Sequence, residues 1–250
     1  MIDVHCHLEQ EDYEKDRDEV IERCKKELKA IITSCTHPKD FEKTIEMVKK
    51  HEKFVFASVG IHPEYIGEFS EKDIESFIEK IRRNKEFFVA IGEVGLDFNW
   101  VKDKELQERQ KGMFKTFIDL SKELNLPLVV HSRDAMEETV KILEEEKASK
   151  VHLHLFGEHR FLKNVIKNGW FISIGPILLR SKKHKKIARD MPLERIMLET
   201  DSPWFGFGKR NDPTSIKDVA NKIAEIKKIS FDDVWKICGE NAIRFFNLDI

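Results

Sequence analysis

The chain has 250 residues, 40% hydrophobic and 36% charged, enough to bury a large core and unlike a disordered tail or a disulfide-stapled miniprotein. Its 44 Lys and Arg against 46 Asp and Glu leave a formal charge of −2, which excludes a globally basic nucleic-acid coat but not a local patch. No apolar run approaches the roughly 20 residues that cross a bilayer, Asp3 interrupts any signal-like start, and Cys6, Cys24, Cys35 and Cys238 show no CxxC spacing; reduced thiols in a cytoplasmic protein are expected.

Short apolar runs alternate with helical stripes from end to end. Residues 2–5 read as a first strand, followed by Val20, Cys24 and Leu28 at helical spacing. Strand 30–34 precedes the stripe Phe41, Ile45 and Val48, and strand 54–59 precedes Ile74, Phe77, Ile78 and Ile81. Strand 87–93 leads to Met113, Phe117, Leu120 and Leu124, and strand 128–131 to Met136, Val140 and Leu143. Strand 151–154 leads to Phe161, Leu162, Val165 and Ile166, and runs 170–174 and 196–201 complete eight strands. Ile216, Val219, Ile223 and Ile226 form another stripe behind Pro213, and Ser230 with Asp233 reads as a capping box opening a last helix through Phe245.

Each stripe is one-sided, so each helix covers a sheet on one face. Linkers are short and no composition shift marks a second domain, so residues 1–250 are expected to be one unit. The expected class is α/β, a single-domain (β/α)8 TIM-type barrel with an extra C-terminal helix. A Rossmann-like open sheet is the runner-up, but no GxGxxG follows any strand.

Histidines and acids gather at the carboxyl ends of those strands: His5 and His7 at the first, Glu93 at the fourth, His131 at the fifth, His154 at the sixth and Asp201 at the eighth. In a barrel those ends share the catalytic face. One HxH pair is weak evidence, but five strand ends filled with imidazole or carboxylate are not, because unpaired buried charge costs several kcal/mol. These groups suffice for two divalent ions with a bridging carboxylate. By strand alternation His5 and His7 point together and Cys6 points away, toward the helices. Asp3 and Glu199 share parity with His5 and Asp201 and are expected to bond ligand imidazoles or basic groups, and His152 to brace the interior rather than bind metal.

The segments MIDVHCHL (1–8), GIHP (60–63), AIGEVGLD (90–97), VHSRD (130–134), ISIG (172–175), LETDSP (198–203) and RNDP (210–213) resemble, in order, the motifs of the TatD family of metal-dependent deoxyribonucleases. The resemblance implies an amidohydrolase-type barrel in which His5, His7 and Asp201 hold one metal, His131 and His154 hold the second, and Glu93 bridges them. Two departures stand out. The family's His-Cys-Phe-Ser-Gly after the sixth strand is HLFGE (154–158) here, and its second histidine after GIHP is Glu64. Mixed imidazole and carboxylate ligands accept Zn, Mn, Mg or Ni.

The expected chemistry is attack of an activated water on a phosphodiester of single-stranded DNA ends, with Glu93, Asp201 as general base, and His62 reaching the leaving group or a phosphate oxygen. Ser132, Arg133, Trp204 and Arg210 are the expected substrate contacts. Trp100, Phe205 and Phe207 are further stacking candidates, and residues 180–186 form a basic run on the same side. Arg133 has pairing with Asp134 or another acid as its alternative role. Two other readings stand beside this one: hydrolysis of a carboxylic ester, as by a deacylase of misacylated transfer RNA, and a metal-stabilised binding protein without turnover. No membrane or obligate protein partner is inferred.

Overall fold

In the computed structural model, which describes residues 1–250, all eight runs form strands. They are β1 (Ile2–Cys6), β2 (Ala30–Cys35), β3 (Val55–Val59), β4 (Ala90–Asp97), β5 (Leu128–Arg133), β6 (Val151–Leu153), β7 (Phe171–Ile174) and β8 (Ile196–Leu198). Parallel pairing runs from β1 to β8 in chain order. Around them lie α1 (Arg17–Lys25), α2 (Phe41–Lys50), α3 (Glu71–Arg83), α4 (Lys104–Leu124), α5 (Met136–Glu145), α6 (Leu162–Lys167), α7 (Lys182–Asp190), α8 (Ile216–Lys227) and α9 (Phe231–Phe246). The fold is the (β/α)8 barrel with one additional helix at its end. No helix is long and apolar enough to cross a membrane.

Some boundaries differ from the sequence reading for local reasons. Lys85–Phe87 form a 3-10 turn, so β4 starts at Ala90 and runs on to Asp97. The basic run after β7 becomes the first turn of α7, whose buried face is only His184, Ile187 and Ala188, too thin to read as a stripe. Ser230 does cap α9, accepting the Asp233 backbone N–H at 3.0 Å.

The two faces of the sheet enter different cores. The larger holds the helix stripes together with outward residues such as Ile31, Ile91, Val94 and Val130. The smaller holds Ile2, Val4, Ala30, Ile32, Ala90, Val129, Phe171 and Met197, contributed by six strands, with Phe246 and Leu248 of the chain's end packed against them. That set lies at the amino ends of the strands and seals the barrel there. The carboxyl ends stay free for polar groups.

Two bulges decide which polar groups point inward. On β1, Asp3 pairs with Ile31 but Cys6 pairs with Thr33, so three steps on β1 oppose two on β2. Asp3 and Cys6 therefore share the outer face, and His5 turns inward between them. The expected parity of Asp3 with His5 fails for this reason. On β4, Ile91 pairs with Leu128 and Val94 with Val130, again three steps against two, and Glu93 turns inward. Gly92 makes that bulge feasible: it has φ 142°, and a Cβ there would lie 2.4 Å from the Val129 carbonyl oxygen.

The barrel closes between β1 and β8 through a side chain as well as the main chain. The Asp201 N–H donates to the His5 carbonyl at 3.0 Å and the His7 N–H to the Ser202 carbonyl at 2.7 Å. The Asp3 carboxyl, instead of meeting an imidazole, accepts from Thr200 N–H at 3.1 Å, Thr200 Oγ1 at 2.5 Å and His5 N–H at 3.3 Å. Complete burial raises the Asp3 carboxyl well above its usual range. Asp3→Leu, which strands three buried donors, should cost about 3 kcal/mol or more, whereas Asp3→Asn should stay within about 1 kcal/mol. Urea unfolding of both variants checks this, and equal costs would show that the seam does not rest on Asp3.

Candidate metal centre

The other five strand-end candidates gather around Glu93. Its Oε2 lies 3.2 Å from His5 Nε2 and 3.8 Å from His7 Nε2. Its Oε1 lies 2.8 Å from His131 Nδ1 and 2.8 Å from His154 Nε2. Asp201 Oδ1 joins the first group, 3.3 Å from His7 Nε2 and 3.7 Å from His5 Nε2. Asp201 adopts φ 51° just past β8, a conformation that Asp tolerates better than most residues, and its N–H bond to His5 holds it there. One carboxylate thus faces two separate sets of donors.

Within each set the ring nitrogens crowd one another. His5 Nε2 and His7 Nε2 are 3.1 Å apart, and His131 Nδ1 and His154 Nε2 are 3.3 Å apart. For two of these rings the other nitrogen is committed outward: His7 Nδ1 to Glu9 Oε1 at 3.1 Å, and His131 Nε2 to Asp97 Oδ2 at 2.9 Å. A ring whose outer N–H donates to a carboxylate presents a lone pair inward. Converging lone pairs and carboxylate oxygens are the donor set of a divalent cation. These residues fit the binding of a divalent cation at Glu93.

Electrostatics point the same way. Burial opposes charge on Glu93, but His154, His62 and His5 around it outweigh that and hold its carboxyl well below the usual range. Burial likewise works against His7, yet its bonds to Asp201 and Glu9 raise it to about 10. His131 and His154 are raised against burial too, by Asp97 and Glu93 and by Glu93 and Glu199 respectively. An environment that favours protons on these rings also favours a divalent cation in their place.

His62 stands apart from both sets. Its Nδ1 accepts the Glu64 N–H at 3.2 Å, which leaves the ring hydrogen on Nε2, 3.5 Å from Glu93 Oε1. Burial, reinforced by His131, lowers its pKa to about 3, so the ring is a neutral donor aimed at the centre.

Two supporting acids escaped the sequence reading. Glu9, held by Thr33 Oγ1 at 2.8 Å, orients His7, and Asp97 orients His131. Both lie an even number of residues beyond a candidate ligand, and that spacing was the available signal. Glu199 accepts from Leu155 N–H at 2.6 Å and Ser173 Oγ at 2.7 Å and lies 3.6 Å from His154 Nδ1. His152 sits in the interior, 2.6 Å from Ser173 Oγ and outside both donor sets. Cys6 faces outward, its thiol toward the Ile32 carbonyl.

The centre opens into a cavity of about 1170 Å³, lined also by Ser132, Arg133, Trp100, Trp204 and Phe205. Trp204 is 47% exposed with its ring centroid 4.6 Å from that of His7. Arg133 lies over the exposed Trp100 ring at 5.4 Å rather than pairing with Asp134, and Ser132 Oγ bonds Thr139 Oγ1 at 2.9 Å. Phe207 lies outside the cavity lining, covered by Arg180 at 3.8 Å. Arg210 lies elsewhere: it donates to the Asp12 carbonyl at 2.6 Å and to Asp16 Oδ1 at 2.8 Å, lies over Tyr13, and does not line the cavity.

If Glu9 and Asp97 position the rings as described, Glu9→Ala and Asp97→Asn should each weaken divalent-ion binding about 10- to 100-fold without unfolding the protein. Calorimetric titration of chelator-stripped protein measures this, and unchanged affinity would remove both residues from the centre.

A family model described as TatD related DNase matches residues 2–247. The chain is 36% identical over 260 residues to the uncharacterized metal-dependent hydrolase YabD of Bacillus subtilis, covering 100% of both chains. It is also 36% identical over 258 residues to human Deoxyribonuclease TATDN3, covering 98% of this chain and 94% of that one. The crystal structure of YJJV, a TatD homolog from Escherichia coli, superposes with a TM-score of 0.91 at 24% identity, covering 100% of this chain and 98% of the other, and supports the fold. The barrel, the strand-end histidines and acids, and these matches along the whole chain together make it a member of the TatD family of metal-dependent hydrolases.

Proposed function

We propose that this enzyme holds two divalent cations, Zn, Mn, Mg or Ni, and hydrolyses phosphodiester bonds at the ends of single-stranded DNA. The observation that carries the reading is the Glu93 carboxylate shared between two donor sets at the floor of an open cavity. On this reading His5, His7 and Asp201 hold one ion, His131 and His154 the other, and Glu93 both. Bound there, the cations would supply Lewis acidity, offsetting phosphate charge and making a water more acidic.

The chain's own residues do the rest. Asp201 turns Oδ1 to His5 and His7, while its other oxygen takes no hydrogen bond from the protein and is free to accept a proton from water. Burial would raise the Asp201 carboxyl, but the His7 bond and the surrounding imidazoles keep it below its ordinary value, so it is ionised at neutral pH. His62 Nε2–H donates to a phosphate oxygen or to the leaving oxygen, positioned by Glu64 N–H behind it. Trp204 and Trp100 offer faces to unpaired bases, and Arg133 and Ser132 offer donors to phosphate.

The charge of the rim bears on which part of a strand enters. Glu64, Asp134, Glu137 and Glu138 line the cavity beside Arg133 and Lys141. Such a rim repels a long polyanion but admits a terminal nucleotide or two, whose charge the cations offset. The name of the human relative, a deoxyribonuclease, supports DNA as the substrate.

Asp201→Asn should lower kcat on a single-stranded oligonucleotide by at least about 10³-fold while circular dichroism and melting stay near wild type. His62→Ala should cost about 10²-fold with ion stoichiometry unchanged. Chelation should abolish cleavage, and added Mn or Zn should restore it. Assays run in parallel on an aminoacyl ester decide the bond: faster ester than phosphodiester hydrolysis would overturn the proposal.

A further inference from the structure

The loop after β6 meets the start of α7 on one wall of the same cavity, where Gly157, Glu158, Ile177 and His184 line it. His184 is only 9% exposed. Ser181 caps α7 by accepting the His184 backbone N–H at 3.3 Å, and the same oxygen lies 2.8 Å from His184 Nδ1. Nδ1 is the one protein acceptor within reach of the Ser181 hydroxyl, so the hydroxyl hydrogen is assigned to it. Nδ1 is therefore the acceptor, and Nε2 carries the ring hydrogen.

Nε2 has no partner in the protein. Burial, aided by Lys183, keeps the ring below its ordinary pKa and so neutral, a fixed N–H donor at the positive end of a nine-residue helix. Gly157 creates the space in front of it: a Cβ at that position would lie 3.1 Å from Nε2. The nearby Glu158 carboxylate is occupied, with Lys183 Nζ at 2.5 Å from one oxygen and Arg160 Nε at 3.8 Å from the other. An unpartnered donor beside a helix amino end, in a cradle free of side chain, suits an anionic oxygen. Gly157 is three residues past His154, so chain length alone keeps this cradle within about 11 Å of the proposed ion ligand.

We infer that His184 Nε2 and the cradle above Gly157 form a second phosphate subsite, which holds the phosphate one nucleotide away from the bond being cut. The inference rests on the phosphodiesterase reading above. It separates substrates by phosphate number, since a dinucleotide with one phosphate cannot reach the subsite and a trinucleotide with two can.

The test compares kcat/KM on single-stranded thymidine dinucleotide and trinucleotide without terminal phosphates. Wild type should prefer the trinucleotide. His184→Ala should reduce that preference about tenfold, through KM, and leave the dinucleotide unchanged. His184→Gln, which keeps an N–H at similar reach, should retain most of the preference, and Gly157→Val, which fills the cradle, should lose it. Equal losses on both substrates, or none on the trinucleotide, would overturn the subsite. If wild type cleaves neither substrate, it is the phosphodiesterase reading that fails, and the subsite is decided by binding. Inorganic phosphate titrated into the Mg-loaded protein should then shift the imidazole resonance that His184→Gln lacks, in wild type and not in Gly157→Val; no shift in wild type overturns it.

Discussion

Glu93 is buried, ionised and has no lysine or arginine beside it. Little of it meets solvent, so its charge must be balanced by what the fold places around it, and the fold places imidazoles against both of its oxygens. Meeting that demand from both sides requires imidazoles from β1, β5 and the ends of β1 and β6 to arrive at one point. Only a closed ring of parallel strands brings chain segments so distant in sequence together at one rim.

Burial alone does not decide what a carboxyl does in this barrel. Asp3 and Glu93 are both inaccessible, yet Asp3 is pushed toward its neutral form and Glu93 toward its charged form. Asp3 is surrounded by uncharged main-chain and hydroxyl donors, which stabilise the anion too weakly to offset desolvation. Glu93 is surrounded by ionisable rings. The first acid joins two strands, and the second creates a place for positive charge.

Much of this was legible in the sequence because buried parallel strands read as short apolar runs and their covering helices as one-sided stripes. The candidate ligands were legible because imidazoles and acids at strand carboxyl ends have no place in a dry core. A bulge, by contrast, is an inserted step in the pairing and leaves no mark in residue type, so strict alternation put Asp3 on the wrong face. Helix α7 was invisible because three buried residues, one of them histidine, make no stripe. The partners of Arg210 lie nearly 200 positions earlier in the chain, at Asp12 and Asp16, and no local pattern points that far.

The way the ring closes has a consequence for how the molecule is made. During synthesis His5 and His7 emerge well before Asp201, and α9, which plugs the floor beneath them, follows Asp201. A nascent chain that has not yet reached Asp201 has an open seam on β1, an unplugged interior and one donor set short of its acid. The candidate donor set around Glu93 is therefore completed only once Asp201 has joined β1, and the half-made barrel is the stage at which exposed strand edges leave it most open to aggregation.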